Sequence, residues 1–259
     1  MSKLVTFAGS GSLAWHLAPA LDNTGYSVRE VFSRNPASAK KLVGRLYEAE
    51  VKTSLDFSAS DSRIFILAVA DEAIEDVARE IILPEDSILV HTSGSQSLDR
   101  LGYAASSSTG VFYPLQVFSK NRKIDFDEVP ILIETESKEV EHELIKMGRA
   151  ISRQVQAVDA NSRKAIHVAS VFATNFTNHL LGISKEIMSN NNLDFNWLKP
   201  IIAESLNKSL TLGPEQSQGG PARLGNFETL DMHMEFLKED EQLARLYRTL
   251  SQHIVDKYL

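Results

Sequence analysis

Leu4-Val5-Thr6-Phe7-Ala8-Gly9-Ser10-Gly11-Ser12-Leu13-Ala14 decides the reading of this chain. The apolar run Leu4 to Ala8 reads as a buried strand. Two glycines follow at once, and Leu13 to Leu21 continues with helical apolar spacing. Strand, glycine turn and helix in that order give the G-x-G-x-x-[GA] pattern its meaning. Gly9 allows the tight turn, Gly11 lets the backbone approach a pyrophosphate, and Ala14 keeps the helix close to the strand. The helix N-terminus presents unpaired N–H groups and the positive end of its dipole to the phosphates. Gly9, Ser10, Gly11, Ser12 and Leu13 are therefore the expected pyrophosphate turn of a dinucleotide site. A strand-to-helix turn that is merely glycine-rich is the plain alternative.

The next strand bears on which dinucleotide. Tyr26 to Phe32 reads as a strand ending in Ser33-Arg34-Asn35-Pro36. A carboxylate about twenty residues past the glycines would accept both ribose hydroxyls of NAD. Here that place holds Ser33 and Arg34, a hydroxyl and a guanidinium suited to a 2′-phosphate. The expected cofactor is NADP, against the alternative of a solvated arginine. Asn35-Pro36 reads as an N-cap followed by proline in the first helical turn.

Further along, strands and helices alternate. Arg63 to Val69 is a near-continuous apolar run, as expected of a central parallel strand covered on both faces. Asp71 is the expected cap of a helix from Glu72 to Ile82. Ser87 to Val90 reads as the next strand, ending in His91-Thr92-Ser93-Gly94. Thr109 to Phe112, Val129 to Glu134 and Gln154 to Val158 complete the set, with a charged helix from Ser137 to about Ser152. This pattern implies an α/β fold with a doubly wound parallel Rossmann sheet, followed by a smaller all-α C-terminal domain. Ligands of such sheets lie beyond the carboxyl ends of the strands. Gly9, Ser33, Ala70, His91 and Tyr113 should thus converge on one crevice, with Ala68, Val69, Ala70 and Ser93 among its cofactor contacts.

After Asp159 the pattern is helical only. Ile166, Ala169, Ala173, Phe176, Leu180, Ile183 and Ile187 form one stripe of a long helix. Lys164, His167, Val171, Thr174, Asn178 and Lys185 collect on a second face, with Asn175 at its edge. The expected domains are residues 1–158, binding NADP, and 159–259, helical, for substrate and dimerisation.

Composition narrows the function classes. At 43% hydrophobic and 24% charged, the 259 residues have the make-up of a soluble globular protein. A formal net charge of −7 without any lysine or arginine tract argues against nucleic-acid binding. The chain contains no cysteine, which removes disulfides and thiolate chemistry and fits a reducing cytoplasm. A cofactor strand starting at Leu4 is expected to leave no room for a signal peptide. No apolar stretch approaches the ~18 residues of a membrane span. Neither metal-ligand spacing nor a G-x-S-x-G elbow is present, so no metal site and no hydrolase are expected.

The chain resembles Rossmann-like NADP oxidoreductases with a helical C-terminal domain of uncharacterised function. These belong to the wider superfamily of pyrroline-5-carboxylate reductase, 6-phosphogluconate dehydrogenase and hydroxyisobutyrate dehydrogenase. The resemblance is carried by Gly9 to Ala14, Val90-His91-Thr92-Ser93-Gly94, Tyr113-Pro114-Leu115-Gln116-Val117-Phe118, Ala165-Ile166-His167 through Phe172-Ala173-Thr174-Asn175, and Gly220-Pro221-Ala222-Arg223. It implies an NADP-binding fold and a homodimer. Hydroxyacid dehydrogenases of the superfamily place a catalytic lysine four residues before an asparagine on the long helix. Here Val171 precedes Asn175 at that distance, and Lys164 lies almost two turns away. Another group must then handle the proton.

Histidine suits that task because its ordinary pKa is near working pH. His91 at a strand end and His167 on the polar helix face are the candidates; Asn175 and Arg223 are the expected substrate-orienting residues. Tyr113 is a further proton donor, with a core tyrosine as its plain alternative. The expected activity is NADP(H)-dependent reduction of a small, anionic metabolite at the domain junction. A sensor without turnover is one alternative. A deazaflavin-dependent NADP reductase is the other, since some relatives pair NADP with that cofactor.

Overall fold

The computed structural model describes residues 3–105 and 108–259. The chain divides into two compact units, Met1–Thr177 and Asn178–Leu259.

The first unit is built on an eight-stranded sheet. Its strands are β1 (Leu4–Ala8), β2 (Ser27–Phe32), β3 (Glu50–Lys52), β4 (Ile64–Leu67), β5 (Ile88–His91), β6 (Ser108–Pro114), β7 (Ile131–Glu134) and β8 (Val155–Ala157). They lie side by side in the order β3-β2-β1-β4-β5-β6-β7-β8. The order reverses direction at β1, the switch point at which doubly wound sheets bind ligands. Every pair is parallel except β6 with β7. The segment between those two holds only the short 3₁₀ turn Phe126–Glu128. Without a crossover helix the chain returns antiparallel, so the sheet is mostly rather than wholly parallel.

Helices α1 (Ser12–Asp22), α2 (Pro36–Val43), α3 (Ile74–Glu80) and α4 (Lys138–Arg149) belong to this unit. On α1, Ala14, Leu17, Ala18 and Leu21 are buried at three- and four-residue steps, the stripe that seats a helix on a sheet. All four residues of β4 and all four of β5 are buried, as two-sided coverage requires. Asn35 caps α2 through a bond to the Ser38 N–H, with Pro36 in the first turn. The expected cap at Asp71 is not made. Asp71 instead opens the 3₁₀ turn Asp71–Ala73 and accepts a 2.6 Å bond from the Ser95 hydroxyl.

After β8 all regular structure among the described residues is helical. Helix α5 (Ala160–Ser170) is capped by Asp159 and runs into a π turn over Val171–Phe176. Helix α6 (Thr177–Asn190) follows. The π turn breaks the 3.6-residue phase assumed for the long helix, so Thr174 and Asn175 do not hold the angle to His167 that ideal spacing gives. Helices α7 (Lys199–Leu212), α8 (Pro214–Ser217), α9 (Phe227–Phe236) and α10 (Glu241–Tyr258) complete the second unit. Its buried apolar residues are few: Ala222, Leu237 and Ala244. No helix among the described residues is long and apolar enough to cross a membrane.

Candidate functional site

A cavity of about 750 Å³ opens at the carboxyl ends of β1, β2 and β4. Gly9, Ser10, Gly11, Ser12, Leu13, Ser33, Arg34, Ala68, Val69 and Ala70 all line it. Gly9 has φ +119°, and a Cβ there would lie 2.1 Å from the Ala68 carbonyl oxygen. No side chain fits that position, so the turn requires glycine. At Gly11 the nearest atom to an added Cβ is the same oxygen at 3.9 Å; the backbone there faces open space. The first turn of α1 has no side-chain cap and no acidic residue, which leaves its N–H groups and dipole free for an anion.

Ser10 and Ser33 bridge the two strand ends through a 2.9 Å hydroxyl–hydroxyl bond, and Ser33 also accepts from the Asn35 N–H at 3.3 Å. Arg34 is exposed at the rim and makes no ion pair with any described residue. A cavity residue distant in sequence escaped the sequence reading. Lys120 donates to the Ser10 carbonyl at 3.0 Å and lies over the Trp15 ring; being so distant in sequence, it leaves no local signal. Thr92 lines the cavity where Ser93 was expected. Ser93 is buried and accepts 3.1 Å bonds from the N–H groups of Ser95 and Gln96, which folds the loop after β5 on itself.

That loop leads to a second group of residues. Tyr113 on β6 and His167 on α5 meet with their hydroxyl and Nδ1 at 3.2 Å, their rings edge to face. Gly94 packs against both. A Cβ on Gly94 would fall 2.6 Å from His167 Nδ1 and 2.6 Å from Tyr113 Cζ. Burial pushes the Tyr113 hydroxyl pKa up, the Ser170 hydroxyl and the Arg163 guanidinium pull it down, and Asp71 adds to the rise; the net direction is upward. Tyr113 therefore keeps its proton at neutral pH.

His91 is completely buried. Its Nδ1 accepts from the Ser93 N–H at 3.2 Å, and its Nε2 has no partner of hydrogen-bond geometry among the described residues. Burial and the Arg163 charge lower its pKa to about 4, against small opposing effects of Asp71 and the nearby Ser97 backbone. It is a neutral imidazole holding the loop. Asn175 is exposed on the π turn and accepts from the Thr174 hydroxyl at 2.8 Å. Arg223 belongs to the second unit, where it donates to the Tyr258 carbonyl at 3.0 Å and lies over that ring. No cluster of three metal-ligating side chains occurs among the described residues.

Fold and cavity together define a dinucleotide-binding protein of the Rossmann class. Residues 4–94 match the model described as NADP oxidoreductase, coenzyme F420-dependent, and residues 129–254 match a domain of unknown function, DUF2520. The crystal structure of BF3122 from Bacteroides fragilis, provisionally assigned as an NADP oxidoreductase, is 33% identical over 98% of both chains, with a TM-score of 0.87. The chain belongs to that family of Rossmann NADP oxidoreductases with a DUF2520 C-terminal part. An Aspergillus terreus reductive aminase in complex with NADPH and ethyl levulinate aligns over 99% of this chain and 95% of its own at TM-score 0.73 and 12% identity. An imine reductase from a Pseudomonas species aligns over 96% and 92% at TM-score 0.68 and 16% identity. These two share the fold. No functionally curated protein matches closely enough to lend the chain an activity.

Proposed function

We propose that the protein is an NADPH-dependent reductase of C=N or C=O bonds in a small, anionic metabolite. The observation that carries this is the loop after β5. Thr92 lines the cofactor cavity, and two residues later Gly94 supports the Tyr113–His167 pair. Ser95, bonded to the cavity residue Asp71, ties the same loop to the same cavity. A cofactor site and a proton-donating pair are thus joined by three residues of chain.

The residues present fit the cofactor: a glycine turn, a helix N-terminus without a side-chain cap, and an arginine with no ionic partner among the described residues at the ribose end. Ser10, Ser12 and the first N–H groups of α1 would hold the pyrophosphate, and Ser33 and Arg34 the 2′-phosphate. Lys120 would add a positive charge beside the phosphates. Bound NADPH supplies a hydride. Tyr113 gives its hydroxyl proton to the substrate nitrogen or oxygen as that atom gains charge, and His167 returns a proton through the 3.2 Å contact. This pair takes the place of the lysine that Val171 replaces. Asn175, with Nδ2 free of described partners, is the proposed orienting group for the substrate.

Two neighbours that bind NADPH or reduce imines support the cofactor and the reaction class. The deazaflavin reading has support of its own in the description of the family matched by residues 4–94. Stopped-flow mixing with NADPH and a panel of keto acids, imines and an oxidised deazaflavin separates the readings. Loss of the 340 nm band only with the deazaflavin favours the second. No oxidation with any partner, despite tight binding, favours a sensor.

The second unit supports a homodimer. Trp197, Ile201, Leu210, Phe227, Met232 and Phe236 are exposed, Leu210 to 88%. So much apolar surface beside so small a core supports an interface with a second copy. We place a second copy there.

A further inference from the structure

Arg163 is the largest side chain among the described residues with no exposure at all. Its Nε donates to Glu134 Oε2 at 2.7 Å, and its Nη1 donates to the carbonyls of Ser93 at 3.1 Å and Gly94 at 2.9 Å. Nη2 has no partner among the described residues. A buried ion pair is weak evidence for stability, because desolvation offsets the attraction and apolar side chains of like volume serve as well. An unpaired buried donor adds a further cost. Stability alone therefore does not account for a guanidinium here.

Its connections point elsewhere. Gly94, whose carbonyl it holds, packs on both Tyr113 and His167. His167 lies four residues further along the same helix, on the same face. Glu134, its ionic partner, pairs in the sheet with Val111, two residues before Tyr113. One guanidinium thus ties together the loop, the helix and the strands that carry the three contacting groups.

We propose that Arg163 is the positioning residue of this site, holding Gly94 through its carbonyl and His167 through their shared helix against Tyr113, and supplying the buried cation of the site. This rests on the reading that the Tyr113–His167 pair moves the proton. The charged and titratable groups acting on Tyr113 are His167 and Arg163 from α5 and Asp71 after β4, and Glu134 on β7 balances the Arg163 charge.

The test uses the full-length protein labelled with [¹³Cζ]tyrosine, the Tyr113 resonance being assigned by its loss in Tyr113→Phe. Arg163→Met removes the cation and should move Tyr113 ionisation to higher pH. Glu134→Gln leaves the cation unbalanced and should move it to lower pH. Both substitutions break the same ion pair, so a merely structural role would shift both in one direction or neither. Either of those results overturns the proposal. If Arg163→Met does not fold, Glu134→Gln decides alone: a downward shift supports the proposal, and no shift or an upward one overturns it. The titration needs neither cofactor nor substrate, so a failure of the proposed reduction remains distinguishable from a failure of this role.

Discussion

The Tyr113 hydroxyl and His167 Nδ1 lie 3.2 Å apart although 54 residues separate them in sequence. Strand and helix bring them together, and only a glycine at position 94 leaves room for both. Such a pair can donate a proton and be recharged. Tyr113→Phe and His167→Gln should each lower kcat by about 10²–10⁴. Affinity for NADPH should stay within about twofold, because neither residue lines the cofactor cavity. Unchanged turnover in both variants would remove the pair from the mechanism.

Gly94→Ala probes the same contact from its other side. The new Cβ would press on both rings at 2.6 Å, and neither ring is the far end of a flexible chain. Turnover should fall at least tenfold with the fold intact, as circular dichroism and NADPH binding report. Wild-type turnover would mean that the two rings need not touch.

His91 makes a prediction about pH. Its folded-state pKa is about 4, against the ordinary 6.5 in the unfolded chain, so the unfolded state takes up the proton first. The stabilisation is complete above pH 6.5 and is lost as pH falls towards 4, by about 3 kcal/mol. Urea unfolding between those limits should show this loss in the wild type and a shallower one in His91→Gln. Parallel pH dependences would contradict the buried, neutral assignment.

The exposed apolar face of the second unit predicts its own disruption. Leu210→Glu, at a side chain 88% exposed in the single chain, should convert a dimer into monomer or aggregate in sedimentation velocity. A wild-type protein that sediments as monomer at micromolar concentration would remove the second copy from the account.

Much of the first unit was legible because its signals are local. The run Leu4 to Ala14 carries strand, turn and helix within itself, and every cofactor residue expected near β1, β2 and β4 lines the cavity. Legibility ended where contacts are long-range. Lys120 reaches Ser10 across 110 residues, and no spacing announces it. Arg163 reads as an ordinary charged residue of a helix, since nothing nearby in sequence shows that Glu134 and the Ser93–Gly94 carbonyls will surround it. The short edge strand Glu50–Lys52 is too polar and brief to stand out. The antiparallel return of β7 follows from a missing crossover helix, and the π turn at Val171–Phe176 is a change of helical phase that periodicity does not encode.

Isothermal titration of the purified protein and of Arg34→Ala with NADPH and NADH tests the central claim most directly. The account predicts that the wild type binds NADPH more tightly than NADH, and that Arg34→Ala weakens NADPH by about 10- to 100-fold while leaving NADH nearly unchanged. Absence of binding heat with either nucleotide, or equal losses for both in the variant, would contradict it.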